Sequence, residues 1–261
     1  MFLSVSIWPQ LIESSIQTQG RGDREKGMTV VIQTFRRNAC LSQAVKHWRT
    51  CKIVKEIAVS WGDTENEPPA FLKGCSVFKT ENRLSARFTP QRFQTDALFS
   101  VDDDVVYACS DLERAFAKWL TRQDDMVGFV PRHVPDCKGY VWNRHYFDKK
   151  FNLILATKGA LLHKKYYEII SSKVDDDVVT ARKFTDSLIN SDDLLMAFVF
   201  ARTRGVGEGW IAVQPKLIKD LECGLGLSSG ADHVSKRIKT FERLQQIFGA
   251  CPFVSMNLDW K

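Results

Sequence analysis

From Thr29 onward the chain alternates short apolar runs with amphipathic stretches, and this alternation restricts its fold more than any other feature. Thr29-Val30-Val31-Ile32-Gln33-Thr34 is nearly continuous in β-branched and apolar residues, the pattern of a strand buried on both faces. Asn38 then stands where a helix cap is expected, ahead of Leu41, Ala44, Val45 and Trp48 on one helical face. Further strands are expected at 57–61, 76–79, 97–101, 126–130, 152–156 and 210–213, bounded by Gly, Pro and Asp. Ser110-Asp111-Leu112-Glu113 reads as a capping box opening a helix that buries Leu112, Ala115, Phe116, Trp119 and Leu120. A last helix is expected over 234–248, with Val234, Ile238, Phe241 and Phe248 inward. Strands separated by helices in this way imply an α/β fold with a mostly parallel central sheet.

With 261 residues, of which 44% are hydrophobic and 26% charged, the chain can build one sizeable core. The reading is a single domain over 28–261 behind a ragged leader, 1–27. That leader lacks a basic start and carries Pro9, so it is not read as a signal peptide. The longest apolar run, 194–201, is far short of a membrane span, and no anchor is visible. The net charge of +6 comes from dispersed Lys and Arg, which argues against nucleic acid as a partner. Seven cysteines without a CxxC pair argue against zinc and thioredoxin chemistry; their odd number permits disulfides without specifying them.

One hexapeptide, Val-Asp-Asp-Asp-Val-Val, occurs twice, at 101–106 and 174–179. The first copy ends an apolar strand, so its carboxylates are expected at the C-terminal edge of the sheet, where open α/β folds bind ligands. Three adjacent carboxylates there need a compensating cation, and a divalent metal bridging them to a nucleotide diphosphate supplies one. A solvated acidic turn is the plainer alternative. The second copy lies between two helical patterns and reads as a helix N-terminus. Asn190-Ser191-Asp192-Asp193 precedes an apolar helix and is, on its own, also an N-cap. Arg36-Arg37 and the turn 82–87 follow strand ends and are expected on the same edge as the first triplet. His47, His133, His145, His163 and His233 show no ligand spacing, and no metal role is assigned to them.

The run 30–37, the turn 82–87, Val101-Asp102-Asp103-Asp104, Val127-Gly128-Phe129-Val130-Pro131-Arg132, Gly159-Ala160 and 190–194 resemble, in order, the exostosin-type and exostosin-like glycosyltransferases, grouped as family 64. The resemblance spans about Thr29 to Gly249. It implies a GT-A-type, Rossmann-like nucleotide-diphospho-sugar transferase fold and a retaining transferase dependent on Mn²⁺ or Mg²⁺. The donor it implies is a nucleotide sugar, usually UDP-N-acetylhexosamine in animal members. The acceptor is a glycan or glycolipid, with a homodimer as the expected assembly and the Golgi or endoplasmic reticulum lumen as the expected location. The ending, 224–259, looks closer to plant-type relatives, which act on other sugars, including sphingolipid headgroup glycans.

By position, the resemblance puts Gln33 and Arg37 at the uracil or diphosphate, and Asn82 and Arg87 around the nucleotide. Asp102 falls to the ribose and, with Asp104, to the metal, and Asp103 to the sugar. Asp193, with Asp192 beside it, matches the catalytic carboxylate; Arg237 matches the arginine on the diphosphate, across the scissile bond from Asp193. Three departures stand out: Trp61-Gly62-Asp63 lacks the family's Asn, Leu155-Ala156-Thr157-Lys158-Gly159-Ala160 is longer than its usual Leu-Thr-Gly-Ala, and Ser191 replaces the commoner Cys. The first leaves base preference open, UDP being favoured and GDP-mannose the alternative. A catalytically silent sugar-nucleotide binder and a nucleotidyltransferase are the rival readings. The first is opposed by the retained carboxylates, the second by the lack of glycine after the first strand.

Overall fold

The computed structural model describes residues 27–134, 150–221, 223, 230–249, 251–254 and 256–257. Apart from Gly27, the expected leader lies outside these residues, as do 224–229, 250, 255 and 258–259 of the 224–259 ending.

Strand β1 (Met28–Thr34) is buried at all seven positions, as its nearly continuous β-branched and apolar pattern implies, and it sits near the middle of a seven-stranded sheet. β2 (Val54–Trp61) and β4 (Ala97–Asp102) flank it in parallel, and β3 (Ser76–Lys79) extends the sheet parallel to β2. On the other side β10 (Lys158–His163) runs antiparallel to both β4 and β6 (Met126–Gly128), and β11 (Trp210–Ala212) closes the sheet parallel to β6. The order is thus β11-β6-β10-β4-β1-β2-β3, one antiparallel strand in an otherwise parallel sheet. This is the helix-flanked α/β architecture expected of a GT-A-type domain.

The expected strand at 152–156 is a correction. Only Leu153–Ile154 (β9) is extended there, pairing with Pro131–Arg132 (β7) outside the main sheet. The sheet is completed instead by β10, whose short core run, Ala160-Leu161-Leu162, is fully buried.

Helix α1 (Asn38–Trp48) buries Cys40, Leu41, Ala44, Val45 and Trp48, the face its spacing predicts. Asn38 is its first residue and Arg37 occupies the cap position, with no side-chain capping bond. Helix α2 (Cys109–Thr121) starts one residue ahead of Ser110, so the capping box does not form. Tertiary contacts override the local motif there. Asp111 is fully buried, accepts hydrogen bonds from the Lys216 and Leu217 amides at 2.9 and 3.2 Å, and pairs with Arg114. Leu120 is correspondingly turned outward.

After the short helix α3 (Lys165–Ile170), the second acidic triplet does what its context predicts. Asp175 accepts from the Val178 amide at 3.1 Å and caps helix α4 (Asp176–Leu188). Helix α5 (Asp192–Arg204) buries every residue from Leu194 to Ala201, so the longest apolar run is a core helix. Helix α6 (His233–Phe248) buries Arg237, Phe241 and Leu244, whereas Val234 is exposed, contrary to its expected inward position. No helix among the described residues is long and apolar enough to cross a membrane.

Two disulfides answer the cysteine question. Cys40–Cys223 and Cys51–Cys109 have Cα separations of 5.7 and 5.1 Å, within the normal bridging range. Cys251 is also disulfide-bonded, and Cys75 is free.

Candidate active site

Because β1 to β4 are parallel, their C-terminal residues share one edge. Asp102 lies opposite Gln33, and Gln33 opposite Ser60. The antiparallel β10 brings its first residue to that same edge, where Lys158 pairs with Val101. The first acidic triplet crosses from β4 into a two-residue turn, Asp103-Asp104, followed by β5 (Val105–Tyr107). β5 pairs with β12 (Ile218–Asp220), and the next amide, Leu221, donates to the Asp104 carbonyl at 2.6 Å, fixing the turn.

The chain itself supplies the cations for this triplet. Arg87 Nη2 and Lys158 Nζ lie 2.7 and 2.8 Å from the two oxygens of Asp102. Burial pushes the Asp102 carboxyl up, but these two cations outweigh it and bring it down to about 2. Arg37 spans Asp103 at 2.7 Å and Asp104 at 2.9 Å. The compensation that the sequence argument gave to a metal is therefore provided by three side chains. Asp103, expected at the sugar, is 3% exposed, with its oxygens on Arg37 and Thr34. Burial raises its carboxyl to about 6 against the pull of Arg37. Asp104 is different. Its Oδ1 is buried without a hydrogen bond, with Lys158 Nζ at 3.7 Å, which leaves a hard oxygen donor of the kind Mn²⁺ or Mg²⁺ accepts.

Arg87 links this triplet to the second carboxylate group. Buried in the short 3₁₀ turn Leu84–Phe88, it places Nε 3.3 Å from Gln33 Oε1 and 2.9 Å from Asp192 Oδ2. Gln33 is held in turn by the Arg83 carbonyl, to which its Nε2 donates at 2.7 Å. Asp192 and Asp193 open α5 behind Ser191, whose left-handed backbone (φ 68°) turns both into the protein at 6% and 4% exposure. Burial, reinforced by Asp193 and Asp102, outweighs Arg87 and pushes the Asp192 carboxyl up to about 7. Arg237, one turn into α6, grips Asp193 with two hydrogen bonds of 3.0 and 2.8 Å. The expected separation of Asp193 and Arg237 across a scissile bond is not what the structure has: they form one buried, bidentate pair. Asp193 Oδ1 also accepts from the Leu194 amide at 2.8 Å, but the cap position belongs to Ser191 and carries no side-chain capping bond, so Asp193 lies inside the first turn and is not an N-cap.

The remaining expected residues sit at the rim. Asn82 is exposed beside Gly62, where an added Cβ would lie 3.6 Å from Asn82 Oδ1 and 3.2 Å from the Thr34 carbonyl. Arg36 is turned away, toward Asp63 and Glu65. Sequence reasoning missed Lys158 and Thr34 as site residues. Only the odd length of the 155–160 run hinted at the first. Among the described residues, the one cluster of three His, Cys, Asp or Glu ligand atoms within 4.8 Å is His47 with Cys51 and Cys109. Its sulfurs are joined in a disulfide and offer no thiolate, and His47 Nε2 lies 2.7 Å from the Tyr107 carbonyl oxygen.

Residues 28–260 match the glycosyl transferase family 64 domain. The glycosylinositol phosphorylceramide mannosyl transferase 1 of Arabidopsis thaliana is 30% identical over 279 residues, covering 95% of this chain and 80% of that protein. The glucosamine inositolphosphorylceramide transferase 1 of the same plant is 28% identical over 222 residues, 80% of this chain but 28% of its own length. Human exostosin-like 2 is 25% identical over 273 residues, covering 95% of this chain and 80% of that protein. The ordered motifs, the sheet that gathers them on one edge and a match over nearly the whole described domain agree, and the chain belongs to glycosyl transferase family 64: it is a glycosyltransferase.

Proposed function

We propose that this glycosyltransferase moves a hexose, with retention, from a nucleotide-diphosphate donor to a glycolipid acceptor, using a divalent cation held by Asp104 with Asp102. The observation that carries the reading is Asp104 Oδ1, buried and without a hydrogen bond at the C-terminal edge of a parallel sheet. Mn²⁺ or Mg²⁺ bound there supplies positive charge for the departing diphosphate. Arg37 and Arg87 hold the carboxylates in register and offer guanidinium donors to the nucleotide. Arg237 holds the Asp193 carboxylate in one orientation through two hydrogen bonds, so that its charge is fixed beside a developing oxocarbenium-like centre rather than rotating freely. Burial pushes the Asp192 carboxyl up to about 7, so near neutral pH it is protonated part of the time, which lessens its repulsion of Asp193.

The donor is read as GDP-mannose. One point supports it: the first relative above is named a mannosyl transferase. UDP-N-acetylhexosamine remains the competing reading through the match of Gln33 and Arg37 to the family's uracil site. The acceptor class is supported by the two plant relatives, both named for inositol phosphorylceramide substrates. Disulfide bonding supports an oxidising compartment, the Golgi or endoplasmic reticulum lumen.

A donor screen with Mn²⁺, reading free GDP or UDP, tests the reading, paired with thermal shift at equal excess of each nucleotide. A ligand at 100 times its dissociation constant stabilises by about 2.7 kcal/mol, a readable shift. A larger shift and faster release with GDP are expected. A preference for UDP would return the protein to the N-acetylhexosamine reading, and no nucleotide release from any sugar donor would remove the transferase reading.

A further inference from the structure

Lys158 is the residue at this edge that neither the motifs nor the proposed chemistry uses. Its ammonium is shared by the two carboxylates assigned to the metal, at 2.8 Å from Asp102 Oδ2 and 3.7 Å from Asp104 Oδ1. The backbone beneath it is fixed. Gly159 has φ +99°, and a Cβ there would lie 2.5 Å from the Tyr107 ring, while the Tyr107 hydroxyl donates to the Lys158 carbonyl. The side chain is not fixed in the same way: it is 37% exposed and ends a flexible four-carbon stem. Lys158 can therefore leave the carboxylates without disturbing the strand that carries it.

The local charge balance says when it would leave. Asp102, Asp103 and Asp104 are opposed by Arg37, Arg87 and Lys158, with Arg87 shared with the partly protonated Asp192, so the triplet is close to balanced. A lone divalent ion entering this nearly balanced site must displace Lys158 and leaves an excess of about two positive charges. A nucleotide diphosphate brings negative charge for both the metal and the released ammonium, which binds phosphate as a point charge.

We propose that Lys158 is a displaceable resident cation: it keeps a lone divalent ion out of the Asp102–Asp104 site and, when metal and nucleotide diphosphate enter together, releases the carboxylates and binds the diphosphate. This rests on the metal-dependent reading above. It makes metal and nucleotide binding mutually dependent, so each tightens the other by the same factor. It also gives one side chain two opposite effects, which a merely structural ion pair would not have.

The test titrates Mn²⁺ by the electron paramagnetic resonance signal of the free ion, with and without saturating GDP or UDP, in wild type, Lys158→Gln and Lys158→Arg. In wild type, nucleotide tightens Mn²⁺ binding at least about tenfold, the size of one charge-assisted contact. Lys158→Gln binds Mn²⁺ alone about tenfold more tightly than wild type and binds the nucleotide about tenfold more weakly. Lys158→Arg keeps the wild-type order. Wild-type protein that takes up Mn²⁺ equally well with and without nucleotide overturns the proposal, and does so even if Lys158→Gln fails to fold. A folded Lys158→Gln that matches wild type in both titrations overturns it too. If wild type takes up no Mn²⁺ at saturating GDP and at saturating UDP, the metal-dependent reading itself fails and the proposal falls with it.

Discussion

Replacing Asp193 by Asn removes one charge from a pair in which both residues are 4% exposed. Asn keeps an acceptor for the Leu194 amide, so that local contact would survive the change. It cannot reproduce the bidentate carboxylate contact at 3.0 and 2.8 Å, and it leaves the Arg237 guanidinium facing an amide donor. Removing one partner of a buried pair costs about 3–5 kcal/mol. For a chain of this size each kcal/mol moves the melting temperature by about 2–4 °C, so a fall of about 6–20 °C is expected. Turnover should fall about a hundredfold to a thousandfold if the same charge faces the reacting centre. Adding Arg237→Met separates the two effects. The double variant should recover much of the lost stability, because a hydrophobic group replaces the guanidinium, and none of the lost turnover. Near-ultraviolet circular dichroism melts and nucleotide-release kinetics read both. A single variant melting within about 2 °C of wild type would refute the buried pair. One that melts lower yet turns over normally would reduce Asp193 to a structural ion pair.

Two further outcomes follow from the local chemistry. Asp192 has its folded carboxyl raised from the usual carboxylate range to about 7, so its contribution to stability is complete below the unfolded value and is lost as pH rises through 7. Asp192→Asn should therefore gain stability relative to wild type between pH 5 and pH 8 in paired melts; parallel curves would contradict this (~pH 4 being the unfolded reference). Asp175→Ala should cost about 1 kcal/mol, because it removes a real cap, whereas Ser110→Ala should stay within about 0.5 kcal/mol, because the capping box never forms. Denaturant midpoints of the two variants check the contrast, and equal losses would contradict it.

The sequence revealed elements whose pattern is set by burial alone. β3 runs from Ser76 to Lys79 as expected, and the fully buried β1 and the inward face of α1 follow from spacing. The two acidic triplets were also separable, since one ends a strand and the other caps a helix. Cap positions were less legible. Ser110 lost its role to Asp111, which spends its carboxylate on amides more than a hundred residues away. β10 was hidden for a similar reason: its buried run is only four residues long and begins with a glycine, and its antiparallel direction depends on the chain path, not on local pattern. With that strand went Lys158. The site residues carried by ordered motifs do meet on one edge, but their pairing was not readable. Nothing in the spacing of Asp193 and Arg237 says that helices α5 and α6 bring them into contact.

The central claim is that the first acidic triplet, and not its sequence twin, holds the metal that works with the donor nucleotide. Calorimetric titration of Mn²⁺ at saturating GDP into wild type, Asp104→Ala and Asp176→Ala tests it most directly. Wild type and Asp176→Ala should each bind one Mn²⁺ per chain with matching affinity, and Asp104→Ala should bind none. Unchanged binding by Asp104→Ala, or its loss in Asp176→Ala, would contradict the account.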